Sequence, residues 1–406
     1  MTARPPGRYA VAFVFITVML DMVGFGLIMP VIPRLIEQVG QTDLAGASIM
    51  SGWMFLAYGG MQFLFGPAIG NLSDAYGRRP LLLIAVFGLA VDYVIMALAP
   101  TLLWLFVGRV FAGICGASYT IANAYLADIT APEDRARAFG YMGAAFGLGF
   151  VIGPAIGGLL GEFGPRVPFI VAAALAGLNF VFGYFVLPET LPRERRRPFS
   201  LVRANPIGAL RVFASYHGVV PMAAVMFTYF LATSVYPAIW AFWGIARFGW
   251  SEAIIGLTLA GFGLVTAIVQ GGLTGPIVKW LGERNTVIFG LVISVVALLG
   301  YAWAPGLLAV MILLVIHAPE GFIHPALTAM MSKEAPEDAQ GELQGGIGSL
   351  QSIAMLIGTV FYSQVFGYFM QPTAPVVSPN VGYIIAAVMM AAVTVYFVML
   401  KRPAQA

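Results

Sequence analysis

Twelve runs of mostly apolar residues, each long enough to cross a lipid bilayer as a helix, take up most of the chain. They lie at about 9–31, 47–70, 81–99, 102–127, 138–160, 166–187, 216–245, 252–274, 286–304, 307–331, 343–369 and 379–400. One helical crossing needs about 20 apolar residues. Inside lipid every backbone N–H and C=O must pair within the protein, which leaves only helices and closed barrels. The runs are continuous rather than alternating, and this predicts helices. Composition agrees: 60% of the residues are hydrophobic and 10% charged, against about 25% charged in soluble domains. The expected fold class is an all-α integral membrane protein with twelve transmembrane helices. The first run is too long for a cleaved signal and no small-residue cleavage site follows it, so it is expected to stay as the first span. The single cysteine, Cys115, cannot form an intrachain disulfide. A net charge of +3 gives no sign of a nucleic-acid partner.

The basic residues orient the spans. If both termini are cytoplasmic, 17 of the 21 Lys and Arg fall on cytoplasmic segments, among them Arg4, Arg78, Arg79, Arg193, Arg203, Lys401 and Arg402. Only Arg34, Arg166 and Arg247 fall in outer loops, and Arg109 lies within a span. This skew follows the positive-inside rule and predicts an even number of spans. The run Arg193–Arg197 sits in a basic, proline-containing connector and is read as an anchor at the anionic inner leaflet.

The two halves repeat. Gly70 and Gly77 recur as Gly275 and Gly282; Gly143 and Gly153 recur as Gly348 and Gly358, both at an offset of 205. Ala131-Pro132-Glu133-Asp134 returns as Ala335-Pro336-Glu337-Asp338. The expected organisation is a six-helix bundle over 1–187, a cytoplasmic linker over 188–213 and a second six-helix bundle over 214–406. Parallel duplicated halves holding a substrate near the midplane are one known transporter plan.

Charge inside the spans marks candidate chemistry, because it is costly there. Asp21, Asp92 and Arg109 are intramembrane. A carboxyl group balanced between burial and a nearby arginine can bind and release a proton. The competing reading is that each acid only neutralises Arg109 or caps a broken helix. In the tenth run His317, Glu320 and His324 are spaced three and four apart, as on one helix face. They suit a proton relay, a substrate-contacting face, or metal ligation, although no fourth ligand is evident and no metal is expected. Asn123, Gln270, Gln351 and Gln364 are candidates for a substrate cavity; hydrogen bonding between helices is their alternative role. Trp240, Trp243 and Met226 suit a greasy cavity, and equally a lipid-facing surface.

Between the second and third runs stands Gly70-Asn71-Leu72-Ser73-Asp74-Ala75-Tyr76-Gly77-Arg78-Arg79-Pro80, read as a tight charged turn. This pattern resembles the signature loop of the major facilitator superfamily. In the fifth run Gly143, Gly147, Gly149, Gly153, Pro154, Gly157 and Gly158 offer a flat face for helix packing. Its G-P-x-x-G-G ending resembles the motif of drug/proton antiporters within that superfamily. With Leu20-Asp21 through Pro30, Asp92-Tyr93, Gly108-Arg109, Ala127-Asp128 and Gly341-Glu342-Leu343-Gln344-Gly345, the chain resembles tetracycline-resistance-type twelve-span antiporters over nearly its whole length.

The resemblance implies proton coupling by Asp21, Asp92 and Arg109; His317, Glu320 and His324 are further candidates from their own spacing. It implies a gating loop of Gly70, Asp74, Gly77, Arg78 and Arg79. Two positions depart: Thr266 stands where these pumps carry a histidine in span eight, and Ser294 where they carry an aspartate in span nine. The span-ten acid and histidines are expected to compensate. The expected function is proton-coupled export of amphipathic drugs, tetracycline-like compounds among them, by alternating access from a bacterial inner membrane. A lipid or glycolipid flippase or a specific metabolite carrier is the alternative. A non-transporting scaffold has no need of intramembrane charge, and no nucleophile–base pair or nucleotide loop suggests an enzyme. No cofactor beyond the proton gradient is expected. The expected partners are small amphipathic substrates, protons and membrane lipids, with the chain acting as a monomer.

Overall fold

A computed structural model describes residues 8–116, 118–131, 134–200 and 205–400. Pro132, Glu133, Arg4, Arg203, Lys401 and Arg402, named above, lie outside the described residues. The helices are α1 (Arg8–Ile28), α2 (Ile32–Gly40), α3 (Leu44–Tyr76), α4 (Arg78–Leu98), α5 (Leu102–Cys115), α6 (Ser118–Ile129), α7 (Arg135–Gly161) and α8 (Val167–Val186). There follow α9 (Arg211–Ser215), α10 (Val220–Thr233), α11 (Val235–Phe248), α12 (Glu252–Ile268), α13 (Thr274–Leu281), α14 (Glu283–Trp303), α15 (Leu307–His317), α16 (Ile323–Lys333), α17 (Gln340–Phe369) and α18 (Val381–Met399). Among the described residues, ten continuous helical runs are long and apolar enough to cross a membrane, and eleven if α1 and α2, bent by 57°, count as one broken span. The expected span at 47–70 lies inside α3, whose 33 residues, rich in glycine and serine, are long enough but less apolar.

Several spans bend or change pitch where the sequence weakens the helix. Pro30 follows the end of α1, and Pro33 occupies the first turn of α2, where its missing N–H costs nothing. A wide turn over Val269–Leu273, containing Gly271 and Gly272, separates α12 from α13. A tightened turn over Ala318–Phe322 separates α15 from α16.

The chain forms two compact units. Unit 1 takes the described residues of Met1–Asp43, Trp53–Pro206 and Trp250–Ala260; unit 2 takes Leu44–Gly52, Ile207–Gly249 and those of Gly261–Ala406. In unit 1, α1 and α7 are in intimate contact. A Cβ built on Gly149 or Gly153 would lie 2.6 Å from the carbonyl oxygen of Met19 or Val23, and one on Gly157 would strike that of Leu27. The ring of Pro154 covers Gly26 in the same way. Gly158 approaches the backbone of Glu252 and Gly256, while Gly143 and Gly147 face open space. The packing face is therefore 149, 153 and 157, one residue per turn, rather than the whole glycine series.

The 205-residue repeat is visible in the backbone. Gly77 and Gly282 both have positive φ, +112° and +76°, and each begins a 21-residue helix, α4 and α14. Glycine is the residue that takes this geometry without strain. Gly143 and Gly348 both face open space, whereas Gly153 and Gly358 are both packed against a neighbouring helix. Arg166 donates to the carbonyls of Ala97 and Ala99 at the end of α4, and Arg247 to that of Ala304 at the end of α14. Cations are favoured at such carbonyl-rich ends.

Candidate functional site

The site in unit 1 is assembled from five helices. Asp92 on α4 is fully buried and pairs with Arg109 of α5, itself 8% exposed. Gly108 allows this approach: a Cβ there would sit 2.9 Å from Asp92 Oδ1. The guanidinium lies 5.5 Å from the ring centre of Tyr58 on α3, a favourable cation–π distance. Asp92 Oδ1 and Arg109 Nε are buried and have no hydrogen-bond partner among the described residues. Asp21 on α1, partly buried, accepts a hydrogen bond from the Ser118 hydroxyl at the start of α6. Gln62 on α3 donates to the Gly116 carbonyl at 2.8 Å, across the break between α5 and α6.

These groups line one cavity of about 50 Å3, with Asp21, Tyr58, Gln62, Asp92, Arg109 and Ser118 on its wall. That holds a few waters; a drug-sized ligand needs at least about 300 Å3. The cavity suits proton exchange between water and buried carboxylates. Asp21, Asp92 and Arg109, expected from sequence to be intramembrane, are thus brought together. Sequence reasoning does not single out Tyr58, Gln62 and Ser118, because nothing in their local sequence marks them.

In unit 2, His317 ends α15 and Glu320 lies in the tight turn that follows. The two side chains pair, both buried. Ser294 of α14 donates to Glu320 at 3.1 Å and so joins span nine to the span-ten acid. His324 does not share this face, because the turn interrupts the helix; it packs edge-on against Phe230. Asn123 donates to the Tyr119 carbonyl of its own helix, and Gln270 packs against Gly321. Gln364 reaches the Ile49 carbonyl, and Gln351 is partly buried. Trp240, Trp243 and Met226 are buried.

The expected charged turn is shorter than its sequence suggests. Gly70–Tyr76 continues α3, and the chain turns at Gly77 alone. Nothing between Asn71 and Tyr76 breaks a helix, and the Ser73 hydroxyl bonds back to the Gly70 carbonyl. Arg78 pairs with Asp74 at 2.5 Å and with Asp128 of α6 at 3.2 Å. Arg79 donates to the Tyr184 carbonyl. The α4 N-terminus is capped by Glu189, whose Oε1 accepts the Arg78 N–H at 2.9 Å. The segment after α8 wraps this corner: Arg197 N–H donates to the Asp74 carbonyl, and Asn71 to the Ser200 carbonyl. Among the described residues no three His, Cys, Asp or Glu gather as a metal site requires.

Long apolar helices carrying buried, paired charge around a small polar cavity define a multi-pass membrane transporter. The chain belongs to the major facilitator superfamily, whose family model matches residues 14–359. It is 41% identical to the class C tetracycline resistance protein of Escherichia coli, over 86% of this chain and 88% of that protein. It is 38% identical to the class G tetracycline resistance protein of Vibrio anguillarum, over 88% and 91%. Among solved structures it resembles the nucleoside transporter NupG, with a TM-score of 0.78 at 13% identity, covering 97% of this chain and 100% of that one. That likeness shows the fold alone. The protein is a multi-pass inner-membrane protein.

Proposed function

We propose that the chain is a proton-coupled antiporter that exports amphipathic drugs, tetracycline-like compounds among them, by alternating access. The observation that carries this reading is the buried Asp92–Arg109 pair, open to a small cavity shared with Asp21. One carboxylate oxygen and one guanidinium nitrogen of the pair stand without a partner among the described residues. A buried polar atom without a partner is costly, so the carboxylate oxygen is poised to take a proton or a water and the guanidinium N–H to donate to a water. The extensive identity to tetracycline resistance proteins supports drug export over other cargo. Termini on the cytoplasmic side, bundles over 1–187 and 214–406 joined by 188–213, and action as a monomer without a cofactor complete the proposal.

Coupling requires that proton and drug stabilise different states of the transporter. Asp21 and Asp92 carry the proton, Arg109 competes with it for Asp92, and Asp74 with Arg78 steadies the turn at Gly77. The test uses inside-out vesicles energised to an acidic interior, with a pH-sensitive dye. A panel of amphipathic drugs, including tetracycline with magnesium, is added to vesicles with wild type or Asp21→Asn. Proton release on adding a compound, lost in the variant, is the expected result. Silence of folded wild-type protein towards every compound would exclude drug/proton exchange and favour a lipid or metabolite cargo.

A further inference from the structure

Unit 2 holds a buried acid that no arginine or lysine among the described residues neutralises. Glu320 is 8% exposed, and its carboxylate meets His317 Nε2, the Ser294 hydroxyl and, at 3.4 Å, the Tyr229 hydroxyl. His317 is its one ion-pair partner among the described residues. The imidazole lies nearly parallel to Phe262 of α12, centroids 5.2 Å apart, and 4.7 Å from Tyr236 of α11. Its Nδ1 stands 3.3 Å from the Tyr301 hydroxyl.

The other titratable groups around the pair are tyrosines or lie aside. Tyr229 comes from α10, Tyr236 from α11 and Tyr301 from α14; Tyr383 of α18 packs on Tyr236 and Tyr301. The turn over Val269–Leu273 contributes only the uncharged Gln270, beside Gly321. His324 of α16 faces Phe230. The charge of this pocket is therefore set by how many protons His317 and Glu320 hold together. With one shared proton the pair is neutral, whichever atom carries it; without it the pair is an uncompensated anion among aromatic rings. Asp92 differs, because Arg109 keeps its charge in every state.

We propose that His317 and Glu320 form a second proton-carrying site, in unit 2, distinct from Asp21 and the Asp92–Arg109 pair. In the loaded form the proton lies between His317 Nε2 and a Glu320 oxygen. Ser294 and Tyr229 hold the carboxylate by donating to it. The Tyr301 hydroxyl follows the imidazole, donating to a neutral Nδ1 and accepting from a protonated one, as a hydroxyl can do both. On unloading, the proton passes to water and the carboxylate keeps its two hydroxyl donors. A glutamine would fill the same space without an ionisable proton. Resting on the proton-coupled reading of unit 1, this adds a proton to each cycle beyond those that unit 1 carries.

The experiment reads protonation directly in the purified full chain. Infrared difference spectra against pH, with proton uptake measured in parallel, compare wild type, Glu320→Gln and His317→Asn. Wild type is expected to show a carboxyl band that titrates; Glu320→Gln loses it and takes up about one proton fewer per molecule. His317→Asn is expected to alter the band, because the carboxyl loses its imidazole partner. Unchanged spectra and uptake in folded Glu320→Gln would overturn the site. Should that variant not fold, His317→Asn carries the test, and a carboxyl band and proton uptake identical to wild type there would overturn the pair equally. The two proposals fail separately. A titrating Glu320 band in protein that exchanges no drug for protons counts against export alone, and drug/proton exchange without such a band removes only the second site.

Discussion

The carboxylate of Glu189 accepts the backbone N–H of Arg78, 111 residues earlier in the chain, at 2.9 Å. The same oxygen takes the N–H groups of Thr190 and Leu191, and Arg196 lies 3.8 Å from the other oxygen. One side chain thus caps α4 and fixes the segment after α8 beneath it. Glu189→Ala is expected to cost about 1 kcal/mol, the usual value of a lost helix cap. It should slow transport while leaving protein in the membrane. Glu189→Gln keeps an acceptor and should retain most of both. Thermal unfolding of the purified variants, beside vesicle transport, checks this; equal behaviour of all three proteins would remove the cap from the account.

Glu189 also shows where the sequence stops being readable. Span positions and the charges within spans follow from local composition, and the structure has them, whereas the turn read over residues 70–80 narrows to Gly77. The partner of Arg78 at position 189 has no period or motif linking it to position 78. Asp74, close in sequence and able either to cap a helix or to pair with a basic neighbour, does the second with the Arg78 side chain. Ser118, Gln62 and Tyr58 escape a sequence reading for the same reason: each meets its partner on another helix or across a break. The helical spacing of His317, Glu320 and His324 implies an unbroken helix, and the tight turn over Ala318–Phe322 removes His324 from the group.

The glycines of α7 separate by contact rather than by spacing. Gly153→Val pushes side-chain carbon against the Val23 backbone and is expected to destabilise by about 1–3 kcal/mol, the range for overpacking. Gly147→Ala meets nothing within 4 Å and should stabilise by up to about 1 kcal/mol through helix propensity. Unfolding temperatures of the two variants are expected to move in opposite directions. A loss in both would mean that Gly147 is packed in another state of the transporter.

Glu162, just beyond the end of α7, has its carboxyl held below the usual range. The Ser251 hydroxyl bonds to it first, and the Ala253 N–H, at 3.2 Å, second. Both bonds favour the charged form. A lowered native value means that this contribution is present above the ordinary value, 4.5, and is lost as pH falls through the lower native one. The group is exposed, so the effect is small and weakens with salt. Wild type should lose slightly more stability than Glu162→Gln on acidification from about pH 7 to about pH 3, an interval that spans the ordinary titration of a glutamate. Parallel losses would show that the contact does not depend on the charge.

Asp92 and Arg109 allow the sharpest test, because each is buried and each leaves an atom without a partner among the described residues. Removing one member strands a charge in apolar surroundings, which typically costs about 3–5 kcal/mol. Asp92→Asn is therefore expected to destabilise strongly by leaving Arg109 unbalanced, and Arg109→Gln by stranding Asp92 unless a proton neutralises it. The second loss should be smaller, since a carboxylate can be protonated where a guanidinium cannot shed its charge. The double variant carries no charge and should recover much of the stability without recovering proton-driven transport. A double-mutant cycle of unfolding free energies measures this coupling. Additive losses would mean that the two side chains do not interact in the membrane, and would take from the proton-coupled reading the pair on which it stands.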